Sequence, residues 1–448
     1  MRRTQVEDHH AEGPLLVARP VPRSAPSGRP RREGVPDEEP DVPSYAAQAL
    51  LPAGIGGALA VDRDVPAAVG RVLDHVLADR VARARAVDPL SGDDLAGRVA
   101  RFTQAGGKRV RPRFVWWALR ACGGGDGPSV TAALRIGAAL ELLQTCALVH
   151  DDVMDGSALR RGRPALHADV AAQYGDAAPR ARAERLGDGA AILAGDLALA
   201  WADDLLAETP LAPRTARAVR RLWADMRTEM VAGQYLDLHG QATGSRSLPR
   251  ALHAACLKSA LYSVERPIAL GTALAGADEA TRAALCSAGR CAGLAFQLRD
   301  DLDDVFGDPR HTGKPAGGDI REGKPTYLVA LARARAEAAG DHRALDVLER
   351  SLGQGALTRA GLEEVREVLT GTGARDAVET RIGRLVARAL RHADDALLDP
   401  VGGPRLRLLL ASAANGAAPP PDTPPHGAEP DPAGSVPPPA GGAEGAGR

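Results

Sequence analysis

Two short acidic clusters, Asp151-Asp152-Val153-Met154-Asp155 and Asp300-Asp301-Leu302-Asp303-Asp304, repeat the pattern Asp-Asp-x-x-Asp inside stretches otherwise rich in Ala, Leu and Val. Carboxylates packed this tightly on apolar helices repel one another and resist losing water. A fold that keeps them must bring something multiply positive to join them, and a divalent metal is the simplest candidate.

The lysines sharpen this constraint. Of 56 Lys plus Arg only four are Lys, at positions 108, 258, 314 and 324, so generic positive charge is carried by Arg. Lys108, Lys314 and Lys324 each follow Gly directly. A compact ammonium beside exposed backbone suits phosphate oxygens better than a bulky planar guanidinium, which makes these lysines candidate phosphate contacts. The plainer alternative is drift in a composition that favours Arg.

With 448 residues and 44% hydrophobic content, the chain can bury one large core or two ordinary ones. Net charge is −1 with acidic and basic residues interspersed, so no nucleic-acid or anionic-membrane surface is expected as main partner. Five Cys form no Cys-x-x-Cys pair, the odd number argues against a disulfide framework, and a reducing, cytoplasmic location fits. No window approaches 18 uninterrupted apolar residues, so neither export nor a membrane span is expected.

Eighteen of the 34 Pro lie in the first 43 and last 30 residues. Disordered tails are therefore expected over 1–44 and 413–448, flanking one all-α domain over 45–412. In that domain Ala, Leu, Arg and Glu dominate, alternating β-branched runs are absent, and no strand emerges. Helices are expected over about 66–87, 91–105, 109–122, 129–154, 188–208, 213–242, 247–276, 279–306, 325–338, 341–353, 358–370 and 375–411.

Each aspartate cluster falls near the C-terminal end of a long expected helix, where positions i and i+4 share a face. Asp151 and Asp155 point together, as do Asp300 and Asp304. Their hard oxygens suit Mg²⁺, which keeps waters and prefers to be shared with substrate phosphates. Facing one another, the clusters would hold a diphosphate between metals. Solvated helix ends are the bland alternative for either cluster alone. His150 reads as a hydrogen-bonded neighbour rather than a ligand, and Trp116 and Trp117 read as core or interface.

The ordered set Gly-Gly-Lys-Arg-x-Arg-Pro (106–112), Asp-Asp-x-x-Asp, Arg-Arg-Gly-x-Pro (160–164), Gly-Gln-x-x-Asp (233–237), Lys258-Ser259 and Gln-x-x-Asp-Asp-x-x-Asp (297–304), then two Lys, resembles the trans-isoprenyl diphosphate synthases of the polyprenyl synthetase family over roughly 65–411. The resemblance implies an isoprenoid-synthase helical bundle around a central apolar cavity, a Mg²⁺-dependent prenyltransferase using two or three ions, and a homodimer. It implies that Lys108, Arg111, Gln144 and Arg161 bind isopentenyl diphosphate, with Arg109 an open second choice beside Arg111. It implies that Asp151, Asp155 and Asp300 hold metal on an allylic diphosphate contacted by Arg160, Lys258 and Lys314. Asp152, Ser259, Gln297, Asp301, Asp304 and Lys324 complete the implied site. Gln144 and Ser259 stand where the family more often has His and Thr, and both keep hydrogen-bonding capacity.

Ala147, Cys146 and Leu143 lie four, five and eight positions before Asp151, along the direction in which a hydrocarbon tail would grow. Short-chain members of the family place an aromatic floor near the first two, and this chain has small residues there, which favours a C20, geranylgeranyl product. Three alternatives compete. A class I terpene cyclase would not need the Gly-Gly-Lys-Arg-x-Arg site for a second diphosphate. A non-catalytic partner subunit would usually carry a decayed aspartate cluster, and an acidic calcium-binding protein would leave the lysines unexplained.

Overall fold

The computed structural model describes residues 57–245, 247–308, 316–412 and Asp422. The expected tails therefore lie outside the described residues, Asp422 excepted, as does Lys314.

The Gly127–Met154 helix has apolar side chains on every side and no polar stripe, a pattern that demands burial all round. Leu134, Ile136, Leu140, Leu142 and Leu143 are fully sealed, and helices Val65–Val87, Val110–Ala121, Arg180–Ala207 and Pro213–Thr243 contribute to the same core. By length and composition this helix could cross a membrane, but 78% of its apolar window is inside the protein, as for the central helix of a water-facing bundle. Trp116 and Trp117 belong to this core.

A second core gathers Tyr327–Ala339, His342–Ser351, Arg359–Gly371 and Ala374–Asp394. The Glu279–Phe306 helix is common to both. Leu285, Ala288 and Ala292 pack into the first core, and Leu298, Leu302 and Val305 into the second. Its amphipathic final turns leave Asp300, Asp301 and Asp304 facing a cavity between the cores.

Most expected helices are present, with physically interpretable differences. One two-residue hairpin pairs Leu159 with Pro164 and Arg160 with Arg163, where no strand was expected. Arg161 and Gly162 turn it with φ of 54° and 73°, the left-handed pair that a tight hairpin of natural twist requires. The helix expected from 188 begins at Arg180, and a further helix, Leu166–Gln173, precedes it. The helix expected over 375–411 breaks before Gly402. There the Asp399 carboxylate accepts from the amides of Val401 and Gly402 at 2.8 and 2.9 Å, restarting the chain as Gly402–Ser412.

The helix expected over 247–276 is continuous but changes pitch. Its middle, Cys256–Glu265, is a π-helix between Leu248–Ala255 and Arg266–Ala275. Two glycines make room for the wider backbone. A Cβ on Gly233 would lie 2.5 Å from the Lys258 amide nitrogen, and one on Gly293 would lie 2.6 Å from the Ala260 carbonyl oxygen. Such inserted residues are frequent at functional sites because they re-aim side chains, and here they aim Lys258 and Ser259 at the cavity.

Asp422 is buried against the first core. Its carboxylate accepts from the Val65 amide at 3.1 Å, Arg113 Nη2 at 2.7 Å and Trp117 Nε1 at 3.0 Å. At this position the sequence beyond residue 412 is a structural partner of the bundle rather than a free tail.

Candidate active site

Both aspartate clusters line one cavity of about 1020 Å³. The first wall is the end of Gly127–Met154, where Asp155 donates its amide to the Asp151 carbonyl at 2.8 Å and closes the last turn. Asp151 Oδ1 accepts from Gln234 Nε2 at 2.9 Å and Lys258 Nζ at 3.2 Å. Asp155 Oδ2 accepts from Lys324 Nζ at 2.8 Å. Burial alone would raise the Asp151 pKa, but Lys258, Lys324 and Arg160 together outweigh it and hold Asp151 below the usual carboxylate range. At Asp155 burial wins over Lys324, and its pKa is raised.

Asp152 is placed differently from its neighbours. It is 0% exposed, lies off the cavity wall, and grips Arg160 through Nε at 2.7 Å and through Nη2. Asp152, expected with the other aspartates, is thus not brought to the cavity with them, because the i+1 side chain of a helix leaves the shared face. Arg160 itself lines the cavity, aimed by Asp152 from behind and presented by the hairpin from the front.

The second wall is crowded with carboxylates. Asp301 is buried, and burial, Asp300, Asp237 and Asp304 push its pKa up to about 7, against one hydrogen bond accepted from Gln297 Nε2 at 2.7 Å. Asp319 is raised well above the carboxylate range by burial and by Asp304. Its amide donates to Asp304 Oδ2 at 3.0 Å. Asp300 faces the same cavity. Hard carboxylate oxygens crowded along this wall, with Asp301 and Asp319 raised by burial and by their neighbours, fit a divalent cation such as Mg²⁺. Among the described residues no three His, Cys, Asp or Glu side chains converge as a closed metal cage, and an open site shared with substrate oxygens has no need of one.

Between the walls stand the lysines. Lys258 Nζ also donates to Asp237 Oδ2 at 2.7 Å, and Lys324 Nζ forms an ion pair with Glu322 Oε2 at 2.6 Å. Burial works against both ammonium groups, but the surrounding carboxylates raise both pKa values, so both stay charged. Ser259 Oγ bonds Gln297 Oε1, tying the π-segment to the second aspartate helix.

A second polar corner lies at Arg111 and Gln144. Arg111 Nη2 donates to Ser263 Oγ at 2.7 Å, and its guanidinium sits 4.3 Å from the centre of the Tyr262 ring. Arg111 Nε, Gln144 Oε1 and the Tyr262 hydroxyl are buried without a hydrogen-bond partner, and all three residues line the cavity. Orphaned polar atoms in a cavity wall mark a place for a polar ligand or water. Buried Glu141 lies behind them within the field of Arg111, Arg109 and Arg161, although burial still raises its pKa.

Other expected residues sit away from the cavity. Arg109 turns to Val65–Val87 and donates to the Pro66 carbonyl at 2.6 Å, whereas Arg111 lines the cavity. Arg161 is off the wall, 5.8 Å from the Phe102 ring centre, with its guanidinium beside Gly107. Lys108 is exposed, and its charge acts on Asp303. Leu143 is sealed in the core, so it does not line the cavity as expected, while Cys146 and Ala147 do. Eight residues before Asp151 is more than two turns, and the helix has rotated Leu143 away from the cavity. Leu199 and Met230, on neighbouring helices, line that apolar region instead. His150 Nε2 meets the Ile192 carbonyl at 3.0 Å, as a packed neighbour should.

Gln234, Asp237, Tyr262, Ser263 and Asp319 were not given roles from sequence. Gly-Gln-x-x-Asp spacing places Gln234 and Asp237 on one helical face, a signal that was present but carried no chemistry without the partner Lys258. Tyr262 and Ser263 owe their orientation to the π-helical pitch.

A family model described as polyprenyl synthetase matches residues 94–365. The geranylfarnesyl diphosphate synthase of Aeropyrum pernix is 29% identical over 321 residues, covering 71% of this chain and 90% of that protein. The geranylgeranyl diphosphate synthase of Mycobacterium tuberculosis is 38% identical over 248 residues, 55% of this chain and 65% of that one. A crystal structure of geranylgeranyl pyrophosphate synthase from Corynebacterium glutamicum, complexed with isoprenyl diphosphate and magnesium, superposes with a TM-score of 0.72 at 34% identity, covering 78% of this chain and 99% of that one. With two acidic walls and their lysines around one cavity in the same fold, the chain belongs to the polyprenyl synthetase family and is a trans-isoprenyl diphosphate synthase, a prenyltransferase.

Proposed function

We propose that the protein condenses an allylic diphosphate with isopentenyl diphosphate, head to tail, releases an all-trans C20 diphosphate, and works as a Mg²⁺-dependent homodimer. The observation that carries this reading is the pairing of a crowded acidic wall with a lysine-bridged one across a single cavity. Two or three Mg²⁺ ions, held by Asp151 and Asp155 on one side and Asp300 on the other, would add positive charge where the departing diphosphate becomes negative.

The chain's own groups then have defined tasks. Lys258, Lys324 and Arg160 offer preorganised charge to the diphosphate as its bond to the allylic carbon breaks, and Lys314 belongs to this set by resemblance only. Ser259 and Gln297 set hydroxyl and carbonyl oxygens beside the space for the allylic cation. Arg111 and Gln144 orient isopentenyl diphosphate, with Lys108 and Arg161 at the outer edge, so that its alkene attacks the cation. The proton leaves with the diphosphate. Leu148, Leu199, Met230 and Phe296 keep water from the cation. A cyclase reading loses ground because Arg111 and Gln144 form a second polar corner that one diphosphate leaves unused.

The product length rests on the apolar end. Small Cys146 and Ala147 leave it open, and Leu199 and Met230 stand on the facing helices. A homodimer is supported by exposed Leu186, Ile192 and Leu193 on Arg180–Ala207 and by Val231 and Tyr235 on Pro213–Thr243, of which Val231 and Tyr235 also border the cavity. The five cysteines are free thiols, which fits a reducing cytoplasm as the proposed compartment.

Four outcomes are expected. Labelled isopentenyl diphosphate with an allylic primer and Mg²⁺ gives labelled prenyl product, lost with chelator and reduced at least about a thousandfold in Asp151→Ala; full activity of that variant would contradict the metal role. Cys146→Phe shortens the product to C15 and Leu199→Ala lengthens it, as read by chromatography of the released alcohols; unchanged length in both would sink the floor assignment. Sedimentation gives twice the chain mass, and Leu193→Glu shifts it toward one; a monomeric wild type would refute the dimer. The fourth concerns pH. A carboxyl whose folded pKa is raised from 3.8 to about 7 holds its proton in the folded state but not in the unfolded state between those values, so metal-free stability falls as pH rises through that window. Mg²⁺ should therefore raise the unfolding temperature more at pH 8 than at pH 5, and an equal or reversed effect would refute the electrostatic account.

A further inference from the structure

A second concavity, of about 380 Å³, lies between Tyr327–Ala339 and Ala374–Asp394, outside the active-site cavity. Arg381, Arg384 and Arg388 enter it from one helix at spacings of three and four, so they share one face, and Arg335 enters from the other. Tyr327 and Leu331 form part of its floor. The Arg381 guanidinium lies 5.0 Å from the Tyr327 ring centre, and Nη1 donates to the Tyr327 hydroxyl at 3.2 Å. Arg335 Nη1 donates to the Thr372 carbonyl at 3.0 Å, and Arg388 Nε to His392 Nε2 at 3.3 Å.

Four guanidiniums thus converge with no carboxylate on any of them among the described residues. In an Arg-rich chain a solvated basic face is the plain alternative, but three observations weigh against it. The face is concave, not convex. The Arg381 Nε is buried and has no acceptor, which costs desolvation without return. Elsewhere on two helices of the second core, Arg375 pairs with Glu379 at 3.2 Å and Arg366 with Glu363 at 2.6 Å. Like charges at these helical spacings destabilise the helix, so packing gives no reason to gather them.

We propose that this groove is a further diphosphate-binding site, outside the catalytic cavity and its two substrate diphosphates, whose occupant is read at the active site through Tyr327. Planar guanidinium forks match phosphate oxygens two at a time, and four of them exceed what a single phosphate needs. Leu331 and Leu385 add apolar wall beside the charge, so the diphosphate can be free or can carry a hydrocarbon ester. Tyr327 lines both cavities and follows Thr326, whose hydroxyl caps the same helix at 3.4 Å from the Val329 amide. Lys324, three residues earlier, bridges to Asp155. An anion that draws Arg381 away from the Tyr327 hydroxyl acts on the segment that carries that lysine.

The choice of ligand rests on the prenyl-transfer reading; the existence of an anion site does not. Inorganic diphosphate and geranylgeranyl diphosphate are titrated separately, by calorimetry in Mg²⁺ buffer, into the full chain and into Arg384→Gln/Arg388→Gln. Both substituted side chains are exposed, and Arg388→Gln alone serves as the milder variant. The wild type should take up one more molecule per chain of at least one ligand, weakened about tenfold per guanidinium removed, and the ligand that shows the difference identifies the source. Turnover of the variants without added diphosphate should equal that of wild type, while the non-competitive part of product inhibition should disappear. Equal stoichiometry and affinity for both ligands in wild type and variants would overturn the site, and turnover in the same samples reports separately on prenyl transfer.

Discussion

Mutual repulsion among carboxylates in a low-dielectric cavity governs this structure. Asp151 is bonded by Lys258 and Asp155 by Lys324, while Asp300, Asp301, Asp304 and Asp319 crowd together on the second wall, where Lys324 also reaches Asp319 at 3.8 Å. That crowding, with burial, pushes the Asp301 carboxyl up to about 7. It also makes the second wall the place where an added cation gains most.

The surrounding architecture is arranged to hold that crowding without unfolding. The first aspartate helix is anchored by apolar contacts on every side, and the second is pinned into both cores, so neither can swing away from the other. The π-helical stretch, admitted by Gly233 and Gly293, carries Lys258 across to Asp151 and lays Tyr262 under Arg111. Asp152 is spent on aiming Arg160. Strong local electrostatics thus rest on stiff apolar packing, as preorganised stabilisation of developing charge requires.

Much of this was legible in the residues. Helix-forming composition pointed to an all-α domain, and clustered aspartates with four rare lysines pointed to a metal and diphosphate site, because charge spacing and helical period are local properties; the central cavity came with the family resemblance. What escaped was set by tertiary geometry. Whether Arg109 or Arg111 faces the ligand depends on the left-handed turn at Arg109, where φ is 44°. Leu143 was placed one turn too far along a helix that curves its face into the core. Arg161 and Gly162 were read only as part of the Arg-Arg-Gly-x-Pro motif, and their positive φ angles turn it into a hairpin. Tyr262 is invisible to a 3.6-residue period, since a π-helical turn shifts every side chain after it. Residues 1–44, 309–315 and the sequence beyond 412 other than Asp422 stand outside the described residues, so the expectations for them, Lys314 included, rest on sequence alone.

The central claim is that both acidic walls bind metal jointly with a diphosphate. Anomalous diffraction from crystals grown with Mn²⁺ and an unreactive thio-linked allylic diphosphate addresses it most directly. The account predicts metal peaks within coordinating distance of Asp151 or Asp155 and of Asp300, each sharing oxygens of the analogue's diphosphate. Manganese bound to one wall alone, or a diphosphate lodged in the cavity without metal, would contradict it.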